Sequence, residues 1–174
     1  MEVADRADVA DRILDAAQRI VLQTGARRLS LTEVARVAGV ARPTLYRYFV
    51  TKDDLIDALG KREHRRFAAA MATAMSGESG PARLESAVDV VASFVHDQPP
   101  RHLIDLEPGF VNEQMARVLP MVQAALETVL DGDRAGAVAR TALSHYLFPD
   151  PDLAAARRHV RAAAGLPPDE RRRT

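Results

Sequence analysis

Residues Ser30 to Lys52 read SLTEVARVAGVARPTLYRYFVTK, and two short helices with their start and stop signals are written in that run. Ser30 followed by Glu33 is a capping-box pattern, in which the serine oxygen takes the Glu33 amide hydrogen and the glutamate reaches back to the serine amide. Leu31, Val34, Ala35 and Ala38 then fall at i, i+3, i+4 and i+7 on one apolar face, and Gly39 stands where a left-handed residue ends a helix. After a short turn, Pro43 pre-sets φ for a first helical turn and biases Arg42 away from the α region. A second helix is therefore predicted from Arg42 or Pro43 to about Phe49. Thr51 followed by Asp54 is a weaker capping box that opens a third helix, with Lys52 in its first turn.

Helix, tight glycine-containing turn, helix is the helix-turn-helix, whose second helix lies in the DNA major groove. On that helix Leu45 and Phe49 share a face and must be buried. Pro43 and Arg47 then lie opposite, with Thr44, Tyr46 and Tyr48 on the flanks. An arginine and two tyrosines on one outer face offer a bidentate donor for a guanine edge, and hydroxyls and rings for phosphates and thymine methyls. Charge points the same way. Between Ala16 and Lys52 the residues Arg19, Arg27, Arg28, Arg36, Arg42, Arg47 and Lys52 stand against Glu33 alone, a net +6 in a chain that is neutral in sum.

The run LTEVARVAGVARPTLYRYFVTKDDL resembles the DNA-binding domain of the TetR family of bacterial transcriptional regulators, over roughly residues 10 to 60. The resemblance is carried by Thr32 and Ala35, by Gly39 and Val40, by Pro43, Thr44, Leu45 and Tyr46, by Tyr48 and Phe49, and by Lys52 and Leu55. One departure is Ala41, which stands where the family often has a small hydroxyl residue capping the recognition helix; alanine cannot supply a side-chain cap worth about 1 kcal/mol. The resemblance implies a homodimer with an all-helical C-terminal domain, whose ligand pocket controls the spacing of two DNA-reading heads.

Length and composition agree with an all-α chain made of an N-terminal three-helix DNA-binding domain and a C-terminal helical bundle for ligand binding and dimerisation. A chain of 174 residues holds one such module and one larger domain, though it is short for the family. Cysteine is absent, which leaves no disulfide framework or thiolate metal site and suits a reducing cytoplasm. No metal and no cofactor are expected. The start, MEVADRADVADR, lacks an apolar targeting core, and no stretch approaches a membrane span, so a cytoplasmic protein with no membrane contact is expected. The domain boundaries read from these signals are 1–50, 51–166 and a short disordered tail over 167–174.

In chain order, Val9, Ile13, Leu14, Ala17, Ile20 and Val21 make the stripe of a first helix that stops at Gly25, and Asp5, Asp8, Asp11 and Asp15 near its start read as solvated. Arg27 and Arg28 precede the helix-turn-helix, in reach of a phosphate or simply in a solvated loop. One long helix is predicted from Thr51 to about Met75, and its basic middle, Lys61 to Arg66, reads as a wet face ahead of a nucleic-acid patch. Ser76 to Pro81 is a turn-rich linker, and a further helix carries Leu84, Ala87, Val88, Val91, Phe94 and Val95 up to the Pro99–Pro100 pair. Beyond it a short helical piece at about Arg101 to Leu106 is cut by Pro108–Gly109. The helix after that, from about Val111 to Leu130, is expected to kink or split at Pro120.

Broken apolar helices are where a small-molecule pocket is expected, and Phe94, His102, Leu106, Phe110, Met115 and Leu119 are its candidate lining, with Met71, Met75, Leu103 and Met121 beside them. Ordinary core packing is the competing use of each. His96, His102, Glu107 and Glu113 are the polar groups available to orient a ligand. Toward the end, Ala135, Val138, Ala139, Ala142, Leu143, Tyr146 and Leu147 form one stripe, and Leu153, Ala156, Val160 and Ala163 another. The resemblance makes the helices Arg134–Leu147 and Asp152–Ala164 a four-helix dimer interface, while the periodicity fits packing inside one chain equally well.

Together these features predict a sequence-specific transcriptional regulator, a repressor released from a palindromic operator in double-stranded DNA by a small apolar effector. Thr32, Arg42, Pro43, Thr44, Tyr46, Arg47, Tyr48 and Lys52 are its candidate DNA-binding residues. A regulator of the same fold with no effector is the alternative. Catalysis is not expected: His102, Asp105 and Glu107 are the only suggestion of a hydrolase-like acid/base group, with no nucleophile motif or phosphate loop beside them.

Overall fold

The computed structural model describes residues 2–96, 102–148 and 152–167. The expectations that fall on Pro99–Pro100, on Pro149 to Pro151 and on the tail from Pro168 to Thr174 lie outside the described residues. The described residues form helices and no strand: α1 (Glu2–Thr24), α2 (Leu31–Ala38), α3 (Arg42–Tyr48), α4 (Lys52–Ala74), α5 (Gly80–His96), α6 (His102–Leu106), α7 (Pro108–Leu126), α8 (Gly132–Leu147) and α9 (Leu153–Ala163). None of them is long and apolar enough to cross a membrane. The chain divides into two compact units. The first holds the described residues up to His64 together with His102–Phe110, and the second holds the remainder.

In the first unit the local signals of the Ser30–Lys52 run are realised one by one. Ser30, with extended φ −126° and ψ 140°, accepts the Glu33 amide hydrogen at 3.2 Å and starts α2. Gly39 ends it with φ 65° and ψ 38°. The Val40 amide donates to the Ala35 carbonyl at 3.0 Å and the Gly39 amide to the Arg36 carbonyl at 3.3 Å, the paired bonds of a Schellman turn. Ala41 leads into α3 with no side-chain cap. Ile13, Leu14, Ala17, Ile20 and Val21 of α1 join Val34, Ala35 and Leu45 in the buried interior.

Two caps differ from their expected strengths. The Glu33 half of the first box is not made, because Arg36 one turn on takes both carboxylate oxygens, at 2.6 and 3.1 Å, in a bidentate charged pair that a single amide does not match. The second box forms in full: Asp54 takes the Thr51 amide hydrogen at 2.8 Å, and Thr51 Oγ1 takes that of Asp54 at 3.0 Å. The basic middle of α4 is also not uniformly wet. The Arg62 side chain is only 12% exposed and donates to Asp15 at 2.7 Å and Gln18 at 2.6 Å, so Asp15 is an ion-pair partner holding α1 to α4.

In the second unit the core includes Phe67, Met71, Val88, Val91, Val95, Val122, Leu126, Val138 and Val160, with the Phe94 ring tilted by 53° against Phe67 at a centroid distance of 4.7 Å. Helices α5, α8 and α9 pack on one another. Ala135, Val138, Ala139 and Ala142 are fully buried there, so of the two uses open to that stripe, these four serve the interior of the chain. Leu147 and Phe148, at 40% and 73% exposure, remain on the surface. Arg161, itself buried, pairs with Glu85 at 3.5 Å and donates to the Pro167 carbonyl, and Arg157 donates to Ser93 at 3.1 Å, which ties α9 to α5.

Of the two outcomes expected at Pro120, the split does not occur, since α7 continues through it from Pro108 to Leu126. Pro120 and Ala116, whose carbonyl lost its intrahelical donor, are both exposed, so that acceptor belongs to a residue open to solvent and not to the core. Pro108, read as the stop of a helix, is the first residue of α7, a position where the missing N–H costs nothing.

Gly39→Ala, whose new methyl would meet Arg12 Nη2 at an unstrained 3.7 Å, is expected to cost the left-handed penalty alone, about 1 kcal/mol. Gly25→Ala should cost more, because its φ is +87° and the added Cβ would lie 2.5 Å from Glu107 Oε1; paired chemical melts would show the order. Leu126→Ala, at a fully buried site of the second unit, should lower stability by about 2 to 5 kcal/mol in the same measurement.

Candidate nucleic-acid interface

A helix of α3's length, Arg42–Tyr48, keeps its shape only if one side is anchored, and Leu45, fully buried, with Phe49, 9% exposed, supplies the anchor. That fixes what faces out. Arg42, Pro43, Tyr46 and Arg47 are exposed, Tyr46 at 49%, and Thr44 and Tyr48 are half-buried at the flanks. Tyr48 also leans on Phe49, with ring centroids 6.4 Å apart, so its ring belongs partly to the support. Thr32 is exposed in the first turn of α2 and Lys52 half-buried at the start of α4. All eight candidate DNA-binding residues thus belong to the first unit, on α2, α3 and the beginning of α4.

Two residues that hold this frame have no signal in the local pattern. Arg12, on α1 among aspartates, donates through Nη2 to the carbonyls of Ala38 at 3.0 Å and Gly39 at 3.2 Å, gripping the turn between the two helices. Glu107, just past α6, is buried and accepts the amide hydrogens of Ala26 at 3.0 Å and Arg27 at 2.7 Å. Gly25 was readable as a helix stop; that it also makes room for a distant carboxylate was not.

Electrostatics around the frame is local. Hydrogen bonding to Arg36, reinforced by its charge, holds the Glu33 carboxyl below the usual carboxylate range, and Thr51 does the same for Asp54 through its hydroxyl and then its amide. Between α1 and α2 lies an open cleft of about 360 Å³ lined by Arg19, Arg28 and Arg36 together with Glu33, Gln23 and Thr24. Part of the basic excess of the first unit is therefore gathered on one side of α2.

The candidate ligand residues do not come together in either unit. Leu106 and Phe110, with the backbone of His102, group with the first unit, where Leu106 is 52% exposed; Phe94, Met115 and Leu119 group with the second. Phe94, Leu119, Met75 and Met121 pack against the core of the second unit, and Met71 belongs to it. Of the polar candidates, Glu107 is committed to the Ala26 and Arg27 amides, and His96 and Glu113 are exposed. Asp105 is exposed as well, so it and Glu107 do not share a buried acid/base site.

Residues 13–59 match the family of bacterial regulatory proteins named for tetR. An uncharacterized HTH-type transcriptional regulator of Mycobacterium tuberculosis is 37% identical over 91 residues, which is 52% of this chain and 45% of that relative, so the match spans less than half of the relative's length. Among solved structures, a TetR-family member from Streptomyces coelicolor is 25% identical with a TM-score of 0.65, over 91% of this chain and 98% of that one. The multidrug binding protein EbrR, complexed with imidazole, is 25% identical with a TM-score of 0.59, over 94% of this chain and 97% of that one. A helix-turn-helix matched at residues 13–59, on a helical fold shared along nearly the whole chain with a TetR-family member, makes this N-terminal part of the chain a domain of the TetR family of bacterial regulatory proteins.

Proposed function

We propose that this protein is a cytoplasmic DNA-binding transcriptional regulator that reads a palindromic duplex site as a homodimer and is released from it by a small apolar ligand. The observation that carries the reading is the outer face of α3. Arg42, Pro43, Tyr46 and Arg47 stand in solvent on a helix held from behind by Leu45 and Phe49, which is the arrangement a major-groove reader needs. Arg47 and Thr44 are the base readers, Tyr46 contributes to both bases and backbone, and Thr32, Tyr48 and Lys52 position phosphates. Arg42 and Pro43 lie at the entering end of the helix. In a dimer two such helices enter successive major grooves roughly 34 to 36 Å apart. The dimer contact uses the faces of α8 and α9 left over after their inner stripes are buried, with exposed Leu147 and Phe148 beside them.

Release requires a ligand that binds one spacing of the two α3 helices better than another, since equal affinity shifts nothing. EbrR, a multidrug binding protein of similar fold, supports a small-molecule effector, and Phe94, Met115 and Leu119 of the second unit are the side chains we assign to it. The packing of Phe94 and Leu119 against the core favours a second reading, a regulator with no effector. Thermal shifts across a set of small apolar compounds separate the two: a compound that raises the melting temperature and displaces DNA supports the first, and none doing so supports the second.

Selection of bound sequences from a random duplex library, followed by fluorescence anisotropy at several salt concentrations, tests the main reading. A recurrent palindrome preferred by about a thousandfold over scrambled duplex, with a steep salt slope, is expected. Selection without a recurrent sequence, and equal weak binding to both duplexes, would overturn it. On the selected site Arg47→Ala should relax preference at one base position at a cost of about 1 to 3 kcal/mol. Lys52→Ala should weaken all duplexes alike and lower the salt slope by about one, so a changed base preference in that variant would contradict the assignment of roles.

A further inference from the structure

Backbone amides in and just after the turn between α1 and α2 are held in two ways. The Gly25 amide donates to the Val21 carbonyl at 2.9 Å, the Leu29 amide to the Ala26 carbonyl at 3.1 Å, and the Glu33 amide to Ser30 Oγ at 3.2 Å. The amides of Ala26 and Arg27 point instead at the carboxylate of Glu107, some 80 residues further along, at 3.0 and 2.7 Å. Successive N–H groups following a left-handed residue make a concave anion seat, and here the anion is a side chain of the same chain. Gly25, with φ +87°, is what lets it in, because a Cβ at that position would lie 2.5 Å from Oε1. Glu107 occupies the single non-helical position between α6 and α7. Its amide donates to the Leu103 carbonyl at 2.9 Å, and Pro108 follows it.

The seat lies close to the DNA-reading frame. Three residues after Arg27 comes Ser30, the cap of α2, and two residues after that Thr32; Arg27 and Arg28 themselves are exposed in the turn. The segment His102–Phe110 belongs to the first unit although the chain on either side of it belongs to the second. This segment brings Glu107 to the turn before the helix-turn-helix.

We propose that Glu107 is a positioning residue for DNA binding: its carboxylate, seated on the Ala26 and Arg27 amides against Gly25, holds the α1–α2 turn and the N-terminal end of α2 in the arrangement that engages phosphates, and unseating it lowers operator affinity. The inference rests on the DNA-binding reading above. Its chemistry is that of a full negative charge in a seat of N–H donors. A carboxamide of the same shape turns an NH2 group toward one of those donors and does not replace it.

The test uses the full chain and the duplex selected by the wild-type protein. Anisotropy is measured for wild type, Glu107→Gln and Glu107→Ala, with circular dichroism on the same samples to give the folded fraction. For the folded fraction, Glu107→Gln is expected to bind the operator about tenfold more weakly or worse. Sodium acetate at constant ionic strength should restore part of the affinity of Glu107→Ala by filling the vacated seat, and should leave wild type unchanged. Folded Glu107→Gln binding like wild type, or weakened Glu107→Ala indifferent to acetate, overturns the proposal, because a residue that only stabilises the fold changes the folded fraction and not the affinity within it. If neither variant is folded under assay conditions, Glu107→Asp, which retracts the charge by one methylene, is read by the same criteria. A wild-type chain that selects no operator would overturn the DNA-binding reading itself, and this proposal with it.

Discussion

A helix as short as Arg42–Tyr48 is not stable alone in water, because the few hydrogen bonds it closes do not offset the backbone freedom it gives up. Everything else in the first unit serves to make that helix persist. Leu45 and Phe49 bury its back, the Schellman turn at Gly39 sets its direction relative to α2, and Arg12 ties down the carbonyls of the turn from α1. The support is needed most at the start of α3, where Ala41 offers no cap. The side chains that project outward are free of structural duty for the same reason, which leaves Arg47 and Tyr46 available to a partner.

Much of this was legible in the sequence because the signals are short-ranged. Ser30 with Glu33, the apolar spacing of Leu31 to Ala38, Gly39, Pro43, and Thr51 with Asp54 act within one or two turns, and each leads to the element observed. The exposed set on α3 followed from the same periodicity. What was not legible depends on groups far apart in the chain: Arg12 and Ala38 are 26 residues apart, Arg62 and Asp15 are 47, and Glu107 and Ala26 are 81. A charged residue declares its type in a sequence but not its partner, so Asp15 read as solvated and Glu107 as available to a ligand. Local competition misled in a smaller way at Glu33, where two acceptors on one carboxylate went to Arg36 and the backbone amide lost.

The second unit shows the limit of periodicity from the other side. A stripe such as Ala135, Val138, Ala139 and Ala142 states that a face will be buried, not against what. Here α5 and α9 cover it, and two of the three arginines of α9, Arg157 and Arg161, register the helices through Ser93, Asp89 and Glu85. Pro120 is a similar case: proline frees the carbonyl four residues before it, and here that residue, Ala116, is exposed, so the helix runs on without a buried unpaired acceptor.

The seat of Glu107 also bears on how far the first unit is modular. A helix-turn-helix that ends near residue 50 invites recombination: cut there, and graft the DNA-reading part onto another sensor. In this chain such a graft would leave behind the carboxylate that completes the α1–α2 turn, and two amides would face an empty seat. A working chimera must carry His102–Phe110 along with the N-terminal helices, or pair Gly25 with a recipient whose own chain returns an acidic side chain to the same place. Positions 25 and 107 are in that sense a single inherited character, exchanged together or not at all.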